Sequence, residues 1–173
     1  MKTDAADWPS DIFSVLCARE IKQVCHVPDA GHDQLIRLCS AQNDMSVTTL
    51  TTEEEGVGIL AGAWLGGQRG VLLMQSSGVG NTINALALPA ACRMPFLTIV
   101  TMRGEWGEGN PWQVPMGQGA PGALEAMGVM LFRVDRAEDI TDTVNAAAGQ
   151  AFNNMCSTAV LISQRLIGAK GFE

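Results

Sequence analysis

The sequence predicts a three-layer α/β domain, with a mostly parallel six-stranded sheet between two layers of helices. Three observations predict it. Strand-like and helix-like segments alternate along nearly the whole chain. The strand-like runs are almost continuously apolar, as in VLLMQ at 71–75 and FLTIVT at 96–101, which is how strands covered on both faces read. The 173 residues, 47% of them hydrophobic, are enough to bury one core without disulfide staples.

The elements follow in order. Ser10 can cap a first helix whose apolar positions include Ile12, Val15 and Leu16. A short strand around Val24 to Val27 ends at the Pro28-Asp29-Ala30-Gly31-His32 break, and Leu35, Ile36, Leu38 and Cys39 mark a second helix. Val47 to Leu50 reads as a strand and Glu53 to Leu65 as a helix rich in small residues. Val71 to Gln75 is a buried strand, with a helix after Gly80 running to about Ala91. Phe96 to Thr101 is the most strand-like segment, bounded by Pro95 and the Arg103-Gly104 turn. A loop of about eighteen residues follows, then a short helix near Ala123. The pattern closes with a strand at Met130 to Val134, a helix from Glu138 to Phe152 and a strand at Thr158 to Ile162.

Composition narrows the function. A net charge of −7 offers no electrostatic reward to nucleic acid or an anionic membrane, so any anionic ligand must be held by local donors. The five cysteines are widely spaced, odd in number and without a C-x-x-C pair, as in a reduced cytoplasmic protein. The polar, acidic segment Met1 to Asp7 does not read as a signal peptide, and no run of 18 apolar residues suggests a membrane span.

In parallel α/β sheets, ligands collect where the strands end. The loops holding Asp29, Glu53, Ser76 to Asn81 and Arg103 all follow predicted strands, so they are expected to share one edge. Glu53 puts a carboxylate at a strand–helix junction, and Gly78-Val79-Gly80-Asn81 offers close backbone approach to a ligand. Each feature also has a structural reading. Three acids at a helix start complement its dipole, and Thr52-x-x-Glu55 is a capping-box pattern. The third glycine of a dinucleotide loop is replaced by Ile83. His26 and His32 lack partners at metal spacing, and Ser76 and Ser77 lack a His-Asp pattern that would activate them.

Together the runs EEEGVGILAGAWLGG, LLMQSSGVGNTINALA and MPFLTIVTMRGEWGE, with Val27-Pro28-Asp29 before them, resemble the pyrimidine-binding part of thiamine diphosphate enzymes. The resemblance spans about residues 10 to 130 and is to the alpha subunit of sulfopyruvate decarboxylase and the N-terminal half of phosphonopyruvate decarboxylase. It implies one pyrimidine-binding (Pyr) domain over 1–173 and a decarboxylase acting on a small anionic 2-oxo acid. In that family a glutamate hydrogen-bonds the cofactor's aminopyrimidine, and Glu53 matches its position. Gly78, Gly80 and Asn81 are then implied cofactor contacts. Asp29, Gln75, Ser76, Arg103 and Gln113 are candidate substrate contacts, with Arg103 as counter-charge to an anionic tail, and His32 is a candidate acid–base group.

The family's Gly-Asp-Gly motif for the diphosphate and Mg2+ is absent from the sequence. The resemblance therefore implies a second subunit carrying that half, a hetero-oligomer with active sites at subunit interfaces, and no metal ligand on this chain. Gln113 and Gln118 stand where phosphonopyruvate decarboxylases have histidine and arginine, which implies a less cationic pocket. A thiamine-dependent carboligase subunit is the alternative within the class. A noncatalytic flavodoxin-like nucleotide-binding or regulatory module is the alternative outside it, and such a module has no need of Glu53.

Overall fold

The computed structural model describes residues 7–168. Six strands form one sheet: β1 (Ile21–His26), β2 (Ser46–Thr49), β3 (Arg69–Gln75), β4 (Phe96–Thr101), β5 (Met130–Val134) and β6 (Ser157–Ile162). Their order across the sheet is β2-β1-β3-β4-β6-β5, and every neighbouring pair runs parallel. The two most central strands, β3 and β4, are the apolar runs that first indicated a doubly covered sheet, and β4 and β6 are buried along their whole length.

Helices cover both faces. α1 (Trp8–Ala18), α2 (Asp33–Ala41) and α7 (Ile140–Asn154) lie on one side, where Ile12, Leu16, Leu35, Val144 and Ala147 join Val24, Leu73 and Ile99 in one core. α3 (Glu53–Leu65), α4 (Val79–Thr82), α5 (Ala87–Cys92) and α6 (Val114–Ala126) lie on the other, where Val57, Leu60, Leu86, Ala120 and Leu124 pack on Leu72, Met74 and Val100. Successive strand residues point to opposite faces, so Val24 and Cys25 enter different cores. Each fully buried Leu or Ile contributes about 1.5–3 kcal/mol.

The predicted limits of α3, β4 and β5 match the structure. Four local expectations are corrected. Ser10 lies inside α1, where Asp7 is the residue before the first turn and accepts from the Ser10 hydroxyl at 2.6 Å. Thr52 makes no side-chain cap to α3; Glu55 instead accepts the Thr51 N–H at 2.9 Å. The helix expected after Gly80 is split into α4 and α5 by a turn at 83–86. The second half of the long loop before Ala123 is α6, which starts at Val114 behind a 3-10 turn at Pro111–Gln113. A short α8 (Gln164–Ile167), not anticipated, follows β6 with the Ser163 hydroxyl accepting the Arg165 N–H.

Candidate active site

The carboxyl ends of β1, β3 and β4 are tied together by side chains. Asp29, just past β1, accepts from Gln75 Nε2 at 2.9 Å and from Thr101 Oγ1 at 2.5 Å. Gln75 and Thr101 are the last residues of β3 and β4, so one carboxylate holds three strand ends in register. Burial pushes the Asp29 carboxyl up, but His32 beside it and hydrogen bonds from Thr101, Gly31 and Gln75 outweigh that and hold it below its ordinary value. The next tie is Ser76 Oγ, which accepts the Arg103 N–H at 3.0 Å.

Glu53 opens α3 just beyond β2 and is buried, at 7% exposure. Its Oε2 accepts from Asn81 Nδ2 at 2.7 Å. Its Oε1 has no hydrogen-bond partner among the described residues. The Glu53 carboxyl lies directly against Gly78, where a β-carbon would stand 2.5 Å from Cδ and collide with Oε1. Any residue but glycine at 78 would displace the acid. On the far side of the same turn Gly80 faces Met116, whose Cε would be 3.6 Å from a β-carbon there. A largely buried carboxylate with one oxygen fixed and the other without a partner among the described residues suits a ring nitrogen able to share a proton. This fits the aminopyrimidine of thiamine diphosphate, with Glu53, Gly78, Gly80 and Asn81 as the residues that would hold it.

Other candidates are placed differently from the sequence expectation. His32 is 1% exposed beneath the sheet edge, with Nε2 donating towards the Ile99 and Met74 carbonyls at 3.1 and 3.3 Å. Its Nδ1 is buried without a partner, and burial holds its pKa below the ordinary value. In this position it braces β3 against β4 and presents no ring nitrogen to a substrate. Ser76 is fully buried, its hydroxyl turned to the Arg103 backbone rather than outward. Arg103 is 7% exposed, and its Nε and Nη2 are both taken by Glu108 at 2.7 and 2.6 Å, while Nη1 makes no hydrogen bond among the described residues. That pairing sets a buried carboxylate against the counter-charge expected at this position. Gln113 is half-buried at the start of α6 and its Oε1 is buried without a partner; Gln118 donates to the Gly104 carbonyl at 3.0 Å.

Sequence reasoning missed Thr101, Glu108, Met116 and Gln164. Glu108 lies in the GEWGEG loop, where no periodicity marks an acid as internal, and Gln164 is 56 residues away from it along the chain. Among the described residues no group of three or more His, Cys, Asp or Glu side chains can hold a metal ion, and no helix is long and apolar enough to cross a membrane.

Comparisons with known proteins follow the same lines. The alpha subunit of sulfopyruvate decarboxylase from Methanocaldococcus jannaschii is 32% identical over 151 residues, covering 87% of this chain and 89% of that one. A sulfopyruvate decarboxylase from Methanosarcina acetivorans is 37% identical over 118 residues, which are 68% of this chain but 30% of that protein. Among solved structures, a 2-oxoglutarate:ferredoxin oxidoreductase from Magnetococcus marinus superposes with a TM-score of 0.76 at 11% identity, over 92% of this chain and 29% of that one, a likeness of fold alone. The family model described as "Thiamine pyrophosphate enzyme, N-terminal TPP binding domain" matches residues 9–129. The chain belongs to the thiamine pyrophosphate enzyme family, by its N-terminal TPP binding domain.

Proposed function

We propose that this chain is the pyrimidine-binding subunit of a thiamine diphosphate-dependent decarboxylase acting on a small anionic 2-oxo acid of the sulfopyruvate kind. The observation that carries the reading is the buried Glu53 carboxylate, one oxygen fixed by Asn81 and the other lying against Gly78 with no hydrogen bond among the described residues. Its match to relatives named as sulfopyruvate decarboxylase alpha subunits supports the substrate class.

When bound, thiamine diphosphate supplies a nucleophilic carbon and an electron sink for loss of carbon dioxide. The chain's own residues do the rest. Glu53 holds or accepts a proton at Oε1, while Asn81 fixes the carboxylate's orientation through Oε2. Gly78 lets backbone and acid approach so closely that water is excluded between them. Gly80 and Met116 form the neighbouring wall, and Gln113 offers an amide to the substrate. Asp29, with Gln75 and Thr101, fixes the mouth of the site at the strand ends.

A second subunit supplies the diphosphate and Mg2+ site in this reading, and the active site forms where the two chains meet. Two things support it: the Gly-Asp-Gly motif is missing from this sequence, and relatives of matching length are named as an alpha subunit. The test is decarboxylation of a sulfonate-tailed 2-oxo acid with thiamine diphosphate and Mg2+. Activity is expected only when this chain is mixed with a chain carrying Gly-Asp-Gly; turnover by this chain alone would refute the shared site.

A further inference from the structure

The Glu108 carboxylate is the hub of the loop between β4 and α6. Its Oε2 accepts from Arg103 Nε at 2.7 Å, Gln164 Nε2 at 2.9 Å and the Gly104 N–H at 3.1 Å. Its Oε1 accepts from Arg103 Nη2 at 2.6 Å and the Asn110 N–H at 2.9 Å. Gln164, fully buried at the start of α8, also accepts the Glu105 and Trp106 N–H groups through Oε1, both at 3.0 Å. Five donors thus close on one carboxylate, and the loop from 103 to 110 is wound around it.

The wound loop sets the start of α6. Gly104, in the left-handed region at φ 73°, packs its Cα against the Gln113 carbonyl, and Gly117 lies directly on the Arg103 carbonyl. These contacts fix the turn of helix that carries Gln113 and Met116, and Met116 faces Gly80 beside the Glu53–Asn81 pair.

Resting on the decarboxylase reading above, we infer that Glu108 and Gln164 are positioning residues for the reaction, acting through Arg103 and this loop. Arg103 is part of their clamp and does not read the substrate's anionic tail. Tail selectivity belongs to the neutral amide of Gln113 and to groups on the second subunit. A bidentate Arg–carboxylate pair is among the strongest polar contacts a protein makes, and a substrate taking Nε or Nη2 for its tail would have to break it and strand a buried acid.

The experiment uses the assembled enzyme and two substrates, a sulfonate-tailed 2-oxo acid and an uncharged 2-oxo acid of similar size. Glu108→Gln is expected to lower kcat on both by tenfold or more, leaving their ratio of kcat/KM within about twofold of wild type. Arg103→Met with Glu108→Met removes both charges together, and is expected to recover much of that kcat with the ratio still unchanged. A tenfold or larger loss of preference for the sulfonate in the double variant would overturn the inference. A second readout needs no turnover: trypsin should cut after Arg103 at least tenfold faster in Glu108→Gln than in wild type, with far-UV circular dichroism unaltered. Equal cutting rates would show that no clamp exists. Absence of thiamine-dependent turnover in the wild-type assembly would instead count against the decarboxylase reading, while the trypsin result still decides the clamp.

Discussion

Gly78 and Glu53 share a space that holds only one of a β-carbon and a carboxylate: a side chain at 78 would overlap Glu53 Oε1. The acid's position is therefore set from two sides, by Asn81 at 2.7 Å on Oε2 and by bare backbone on Oε1. The contact joins the helix after β2 to the turn after β3, which are not sheet neighbours.

Gly78→Ala is expected to push the carboxylate aside, costing about 1–3 kcal/mol of stability and most thiamine-dependent turnover. Chemical denaturation and kinetics of the assembled enzyme measure both. A variant with wild-type stability and turnover would show that the contact is relaxed in solution.

Glu53→Gln is nearly isosteric and is expected to leave stability little changed while lowering turnover by roughly 100-fold or more, the usual scale for losing a positioned proton partner. Glu54 and Glu55 are exposed on the same first turn. Their conversion to Gln is expected to act only through the helix start, by a few tenths to about 1 kcal/mol. If Glu54→Gln abolished turnover and Glu53→Gln did not, the assignment of the acid would be off by one residue.

Both histidines are buried, and burial holds their pKa values below the ordinary 6.5. The unfolded chain then binds protons near pH 6.5 that the folded chain refuses, so stability must fall as pH drops below that value and on through the folded pKa values. Glu108 behaves on a lower range. Its pairing with Arg103 holds its carboxyl down to about 2, against an ordinary 4.5. The stability it contributes is fully present above 4.5 and disappears as pH falls through about 2. Urea midpoints are expected to decline from pH 7 to 5 in wild type and to be flatter over that interval in a His26→Gln/His32→Gln double variant.

Thiol labelling should order the cysteines. Cys92 is exposed on α5, whereas Cys25 and Cys39 are fully buried, and burial pushes their thiols up to about 11 and about 12. Reagent at neutral pH is expected to modify Cys92 first and to reach Cys25 and Cys39 only as the domain unfolds. Labelling of Cys39 in the folded protein at a rate near that of Cys92 would contradict the packing of α2.

The sequence by itself determined the parallel sheet, the sites of its six strands, and the placing of Asp29, Glu53, Gly78 and Asn81 at strand ends. Those are properties of short windows: an apolar run of strand length, a break at Pro28, a row of small residues after an acid. The same windows misread α6, because Pro115, Gly117, Gly119, Pro121 and Gly122 look like loop chemistry. Gly117 is small because the Arg103 carbonyl lies on it, a contact no local pattern reports.

Tertiary structure alone decided the partners. Arg103 reads as a free cation until the chain turns and brings Glu108 into its fork. His32 reads as a loop histidine until α2 lays it beneath β3 and β4. Gln164 has no evident role until β6 returns it beside the loop after β4. A polar side chain's charge and chemistry are written in its own residue, but whether it is spent within the protein or left for a ligand depends on which distant groups the folded backbone brings within hydrogen-bond reach.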